Sequence, residues 1–288
     1  MFPKLGLGTW MMGGRAEPDP NNDDAKDIEA IQNALNAGIK HIDTAKLYAN
    51  GKAEELVGQA IKGYKREDLL IATKIHRELN YDDVLRNCEA SLKRLGLDYI
   101  DLYYVHMPMP SIPIKETARA FNKLMERGLI KNIGISDALN ETMDEYQANL
   151  DYKIFASQNQ YSLIAREPQF NNHLEYCKKN NIHFVAWRPI QLPAPAFNIE
   201  PMYKRGAYKL LDDMADKYGV KNAQIAVRWL TQQDNVNVVF KTTNPEHLKE
   251  IVDSGNITIS PEDMKNLADN FPRQEKISFT SSSRQPML

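Results

Sequence analysis

The sequence predicts an α/β protein of the (β/α)8 class, a single TIM barrel, and three observations lead there. Eight short runs rich in β-branched and aromatic residues recur along the chain, stretches with helical spacing separate them, and the runs are nearly continuous in apolar residues. Strands covered by helices on both faces read this way, and eight strand–helix repeats within 288 residues suit a closed barrel.

In order, the runs are "KLGLGTW" (4–10), "HIDTA" (41–45), "LLIATK" (69–74), "YIDLYYVH" (99–106), "KNIGIS" (131–136), "KIFASQ" (153–158), "IHFVAW" (182–187) and "VNVVFK" (236–241). Between them Ile28, Ile31 and Leu35 recur at helical spacing, as do Val84, Cys88, Leu92 and Leu95, and later Leu211, Met214, Ala215 and Tyr218. Gly38 and Gly96 stand where helices end. The competitor is a doubly wound open sheet, whose G-x-G-x-x-G signature is missing; "GLGTWMMGG" has the wrong spacing and no helical pattern directly after it. No linker or break in composition divides the chain, so 1–288 reads as one barrel domain, with 275–288 a C-terminal tail.

Composition excludes several functions. With 36 basic and 38 acidic residues the net charge is −2, and no long basic tract offers a footprint for nucleic acid. No apolar run approaches the roughly 20 residues that span a bilayer, and the start "MFPKLGLGTW" lacks a signal-peptide pattern. A soluble, cytoplasmic, monomeric protein is the expectation. Cys88 and Cys177 fall in helical patterns without metal-type spacing and read as reduced thiols.

Polar residues gather at the C-terminal ends of the runs: Trp10, Asp43, Lys74, His106, Ser136, Gln158, Trp187 and Lys241. A barrel would bring all eight to the mouth where βα loops build active sites. Taken singly, each has a plainer role. Asp43 before Thr44 could cap a helix, Lys74 could extend into solvent, His106 could be a structural histidine and Tyr48 a surface aromatic. Their coincidence at one mouth favours chemistry. A tyrosine hydroxyl, with an ordinary pKa of about 10, becomes a better proton donor when a lysine ammonium stands beside it. An aspartate would hold that lysine, and a histidine would orient a substrate oxygen. Such a set can protonate an oxygen as charge develops on it, whereas hydride must come from a cofactor. A metal site is the weaker alternative. His41 and Asp43 share one side of a strand and could join His106 or His76, but His41 opens its strand while His106 closes another, and Lys74 would repel a divalent ion. No metal is expected.

These residues stand within "LGLGTW" (5–10), "AGIKHIDTAKLYANGKAEELVGQAI" (37–61), "REDLLIATK" (66–74), "CEASLKRLGLDYIDLYYVHMP" (88–108), "GLIKNIGIS" (128–136) and "KTTNPEHLKE" (241–250). In order and spacing the six segments resemble the aldo-keto reductase family. The resemblance implies a barrel that binds NAD(P)H in extended form and a tetrad of Asp43, Tyr48, Lys74 and His106. Tyr48 would be the general acid in reduction, Lys74, held by Asp43, would depress its pKa, and His106 would orient the carbonyl. Ser136, Asp137 and Gln158 would meet the nicotinamide carboxamide, with Trp187 stacked on the ring. Lys241 and Thr242 would face the adenosine end beside His247 and Glu250, and Lys241 favours NADPH, with NADH possible.

Four departures from the family pattern stand out. Asp137 replaces the usual asparagine, Arg188 replaces a serine near the pyrophosphate, and His247 stands where NADP-preferring members carry arginine, losing the bidentate grip of a guanidinium. Met1 lies almost directly before the first run, so the hairpin that commonly closes the barrel floor is expected to be absent or very short. Trp10 and Met107 would line the substrate pocket, with "MPMPSIP" (107–113) and "ISFTSSSRQPML" (277–288) at its rim. The expected substrates are small or medium aldehydes and ketones, 2-oxoaldehydes among them. A nucleotide-binding redox sensor or regulatory subunit with little turnover is the alternative.

Overall fold

The computed structural model describes residues 2–190 and 200–273. Its eight strands are β1 (Leu5–Gly8), β2 (His41–Asp43), β3 (Leu70–Ile75), β4 (Leu102–Val105), β5 (Ile133–Ser136), β6 (Ile154–Gln160), β7 (His183–Trp187) and β8 (Val236–Phe240). They are hydrogen-bonded in sequence order as a closed barrel, parallel from β1 through β6 and again between β7 and β8. Every expected run contains one strand, and the (β/α)8 class holds. The tail, 275–288, lies outside the described residues, and with it "ISFTSSSRQPML".

Strand ends differ from the expected runs for a local reason. Thr9 and Thr44 continue the first two runs in sequence but turn their backbones to other duties. Thr9 donates N–H and hydroxyl to the Asp43 carbonyl at 2.9 and 3.2 Å, and the Thr44 carbonyl accepts from Lys74 Nζ at 2.9 Å. In contrast β3 and β6 run beyond their predicted ends, to Ile75 and Gln160.

The described residues fall into two compact units. The larger holds 6–158 and 241–243. Its helices are α1 (Asp24–Asn36), α2 (Lys52–Ala60), α3 (Tyr81–Leu95), α4 (Ile114–Glu126) and α5 (Asn140–Asn149). Asp23 begins α1 by accepting from the Lys26 N–H at 3.0 Å, and Gly96 ends α3 in the left-handed conformation, φ 67°. Glu54 on α2 is fully buried and accepts from Thr73 Oγ1 on β3 and Arg94 Nε on α3, each at 2.6 Å. One carboxylate thereby ties two helices to the sheet.

The interior of this unit is filled by pairing large side chains with glycines. Gly134 on β5 lies opposite Tyr104 on β4, and a Cβ at Gly134 would meet the Tyr104 ring at 2.3 Å. Gly6 on β1 gives way to the His41 imidazole on β2 in the same manner, at 2.4 Å. Tyr104 and His41 are both fully buried.

Among the described residues the smaller unit holds 2–5, 159–190, 200–240 and 244–273. Its helices are α6 (Glu167–Phe170), α7 (His173–Lys179), α8 (Lys209–Tyr218), α9 (Asn222–Thr231), α10 (Pro245–Asp253) and α11 (Pro261–Asn270). Asp263 in the first turn of α11 accepts from Lys217, Tyr218 and Ser260, which holds its carboxyl down to about 2 and joins α11 to α8. Among the described residues no helix is long and apolar enough to cross a membrane.

Gly134→Ala is expected to cost about 1–3 kcal/mol in urea unfolding, because the buried Tyr104 ring has nowhere to go. Adding Tyr104→Val should recover most of that loss. An additive double variant would show that the two side chains do not compete for one space.

Candidate active site

Parallel pairing and strand periodicity decide which side chains meet. β2 and β3 pair with Asp43 opposite Ala72, so Lys74, two residues further, points to the same side as Ala72 and reaches Asp43. Lys74 Nζ donates to Asp43 Oδ1 and to the Thr44 carbonyl at 2.9 Å, and it faces the Tyr48 ring. Lys74 and Asp43 are 1% and 3% exposed, so this ion pair is screened very little by water. The second Asp43 oxygen accepts from Gln158 Nε2 at 2.8 Å.

Tyr48 is carried by a strained turn. It opens a short 3-10 turn, Tyr48–Gly51, in which Ala49 (φ 47°) and Asn50 (φ 51°) both adopt left-handed backbone. Left-handed alanine costs roughly 1–2 kcal/mol. The turn is pinned by the Ala49 N–H donating to the Arg15 carbonyl at 2.8 Å and by Asn50 Nδ2 on Glu17 at 3.2 Å. The phenol ring lies 5.3 Å from Lys74 Nζ, edge-on to Trp10 at 5.0 Å and to His106 at 5.8 Å. The four tetrad candidates and Trp10 therefore converge. Met107, half-buried, follows His106 directly in sequence.

Burial raises the Tyr48 phenol above its ordinary value, and the charge and hydrogen bond of Lys74 pull it back only in part, with Asp43 and Asp137 pushing the other way. The expected depression by Lys74 is thus present but outweighed, because the ring has lost most of its water and two carboxylates stand near. Lys74 itself stays above its ordinary value: burial opposes its charge, and Asp43 and Tyr48 more than restore it. His106 is held well below 6.5 by burial, then by Lys74 and His76. At neutral pH the site contains a protonated phenol, an ammonium paired with Asp43, and a neutral imidazole.

Ser136 ends β5, and its hydroxyl donates to the Gln158 carbonyl at 2.8 Å; the Asp137 N–H donates to the same carbonyl at 3.0 Å. Asp137 takes φ 52°, a conformation that aspartate tolerates better than most residues. With its amide nitrogen given to Asp43, Gln158 has its side-chain oxygen left for a ligand. Lys241 and Thr242 follow β8 and group with this larger unit. Trp187, Arg188, His247 and Glu250 belong to the smaller one. There the Arg188 guanidinium (φ 52° at its backbone) lies 5.2 Å from the Trp187 ring, while His247 and Glu250 are one turn apart on α10.

One residue at this site carries more than sequence reasoning gave it. His76, weighed only as a metal ligand, stands edge-on to His106 with ring centroids 5.3 Å apart. β3 ends at Ile75, so His76 lies just past the strand and alternation along it does not place this side chain.

The sequence pattern of the Aldo/keto reductase family matches residues 4–269. The chain is 33% identical to an aldo-keto reductase, YhdN, of Bacillus subtilis, over 92% of this chain and 88% of that protein. Among solved structures it resembles a thermostable aldo-keto reductase crystallised with the inhibitor epalrestat. That match has a TM-score of 0.85, 37% identity and coverage of 93% and 94% of the two chains. It also resembles an aldo-keto reductase of Klebsiella pneumoniae crystallised with NADPH, with a TM-score of 0.84, 28% identity and coverage of 99% and 95%.

Buried neutral imidazoles give this site a pH signature. His41 and His76 are both lowered to about 4, chiefly by burial; Lys74 lowers His41 further against the opposing charge of Asp43, and Arg77 and Lys46 lower His76. Unfolding frees these rings to take up protons near pH 6.5, whereas the folded rings resist until about 4. Stability is therefore full above pH 6.5 and falls as pH drops from 6.5 toward 4, by about 1.4 kcal/mol per pH unit for each fully buried ring. Urea midpoints measured across that range should decline, and less steeply in His41→Asn. An unchanged slope in the variant would contradict this account.

Proposed function

The chain belongs to the aldo/keto reductase family, and on that premise we propose that it reduces aldehydes or ketones to alcohols with NADPH, Tyr48 acting as the general acid. The observation that carries this reading is the buried Asp43–Lys74 ion pair with the Tyr48 ring 5.3 Å from the ammonium and His106 beside the phenol.

A reduced nicotinamide, when bound, supplies the hydride. The chain's own residues do the rest. His106, neutral, donates a hydrogen bond to the substrate oxygen and orients the carbonyl carbon. As hydride reaches that carbon, negative charge grows on the oxygen, and the Tyr48 phenol transfers its proton there. The Lys74 ammonium stabilises the phenolate left behind, and Asp43 keeps that ammonium charged in a dry setting. At neutral pH the phenol carries its proton and can give it to the developing alkoxide.

Ser136 and the Gln158 side-chain oxygen suit the amide N–H side of a carboxamide, each as an acceptor. The carboxylate of Asp137 can accept the amide N–H. Lys241 is exposed and stands beside Thr242. Lys241 favours the additional phosphate of NADPH; His247 provides no guanidinium, so NADH remains a second-choice cofactor. Trp187, Arg188, His247 and Glu250 enter this proposal through the family resemblance. Trp10 and Met107 line the carbonyl pocket. The protein acts as a single domain, 1–288, a monomer in the cytoplasm.

Following nicotinamide absorbance with a simple aromatic aldehyde tests the reading. NADPH should be consumed, and Tyr48→Phe should lower kcat by about a hundredfold or more. Equal activity of the two proteins would remove Tyr48 from its role. Lys241→Ala should raise KM for NADPH and leave KM for NADH nearly constant; an equal effect on both would contradict the phosphate contact.

A further inference from the structure

We propose that His76 is a specificity-determining residue that selects carbonyl substrates carrying a second, uncharged oxygen on the neighbouring carbon. The inference rests on the proposed reductase activity and deepens it.

His76 and His106 adopt the same posture. In each ring Nδ1 is sealed from solvent without a hydrogen-bond partner, and neither imidazole side chain makes a hydrogen bond among the described residues. Nε2 is therefore the open nitrogen of both rings. A sealed Nδ1 with nothing to donate to is best left bare, which puts the proton of each neutral ring on Nε2 and makes both open nitrogens donors. His76 remains half-buried, in edge contact with His106, which itself lies 5.8 Å from the Tyr48 ring. Two such donors belong to one mouth.

One of them, His106, is occupied by the reacting oxygen in the proposed mechanism. The other has no partner in the protein, and an unpartnered donor at a pocket wall rewards a ligand acceptor. Rings with centroids 5.3 Å apart can each reach one of two oxygens on adjacent carbons, whose separation is close to a hydrogen-bond length, about 2.9 Å. A carbonyl or hydroxyl on the neighbouring carbon fits this spacing.

Charge argues for a neutral acceptor over a carboxylate. His76 is uncharged at neutral pH, and Lys46 beside it is paired with Glu78. Arg77, the remaining neighbouring cation, is exposed, where water and salt screen its pull on an anion. The reacting step is unchanged: hydride goes to the carbonyl carbon, the Tyr48 proton goes to its oxygen, and the second oxygen only accepts from His76.

The test compares 2-oxopropanal with propanal in the wild type, His76→Phe and His76→Gln, all with NADPH. Phenylalanine keeps an aromatic edge against His106 and removes the donor; glutamine keeps a donor. The intrinsic reactivity of the two aldehydes is the same for every protein, so it cancels when their kcat/KM ratio is compared between proteins. The ratio should fall at least tenfold in His76→Phe, largely through KM, and stay within threefold of wild type in His76→Gln. Equal losses on both aldehydes in His76→Phe, or a glutamine variant no better than phenylalanine, would overturn the assignment and leave the reductase reading intact. Should His76→Phe fail to fold, His76→Leu replaces it with the same expectation. Absence of turnover with either aldehyde in the wild type would overturn both readings together. Pyruvate provides the last arm: if it is preferred over 2-oxopropanal, the second oxygen is an anion and the neutral-acceptor proposal falls.

Discussion

The buried ion pair between Asp43 and Lys74 is the constraint on which the rest of the site depends. Taking an ammonium and a carboxylate out of water costs several kcal/mol per ion unless geometry and added hydrogen bonds compensate. Here the compensation comes from specific groups. Thr44 leaves the strand to offer its carbonyl, Gln158 gives its amide to the second carboxylate oxygen, and the Tyr48 ring stands 5.3 Å from the ammonium. Each of these residues is fixed because the pair is buried. Removing one partner would leave a charge stranded where neither water nor another group can reach it, so the arrangement also specifies itself.

The same charge sets the protonation of its neighbours. Burial makes His41 and His106 reluctant to charge, and Lys74 reinforces that reluctance in both. Burial is the main reason that these imidazoles stay neutral, with Lys74 acting in the same direction. The left-handed turn at Ala49 and Asn50 belongs to this logic as well. A phenol must be brought over the ammonium from a loop, and the backbone accepts local strain to do it, held by the contact from Ala49 to Arg15.

Much of this was legible in the sequence, for physical reasons. Strands buried on both faces leave near-continuous apolar runs, so each run located a strand, and a polar residue ending such a run had to be at the barrel mouth. Asp43, Lys74, His106, Ser136 and Gln158 were all found by that argument. Three features were hidden. The pKa of Tyr48 depends on how much water reaches the ring, and sequence carries no measure of that balance. Gln158 was assigned to a ligand, yet its nitrogen serves Asp43, because which atom of an amide is free depends on tertiary contacts. His76 was overlooked as a pocket residue because it lies past the point where alternation along β3 stops being a guide. Strand ends shifted by up to three residues, and by two at the ends of the first two runs, where Thr9 and Thr44 follow the strands.

The account turns on the ammonium of Lys74 holding the phenol of Tyr48 poised between burial and charge. Labelling tyrosine ring carbons and titrating Tyr48 by NMR, in wild type and in Lys74→Met, measures that balance directly, with Tyr48→Phe assigning the signal. The account predicts that the Tyr48 pKa rises further in Lys74→Met, since burial and the nearby carboxylates then act unopposed. A Tyr48 pKa that stays the same or falls without the ammonium would contradict it.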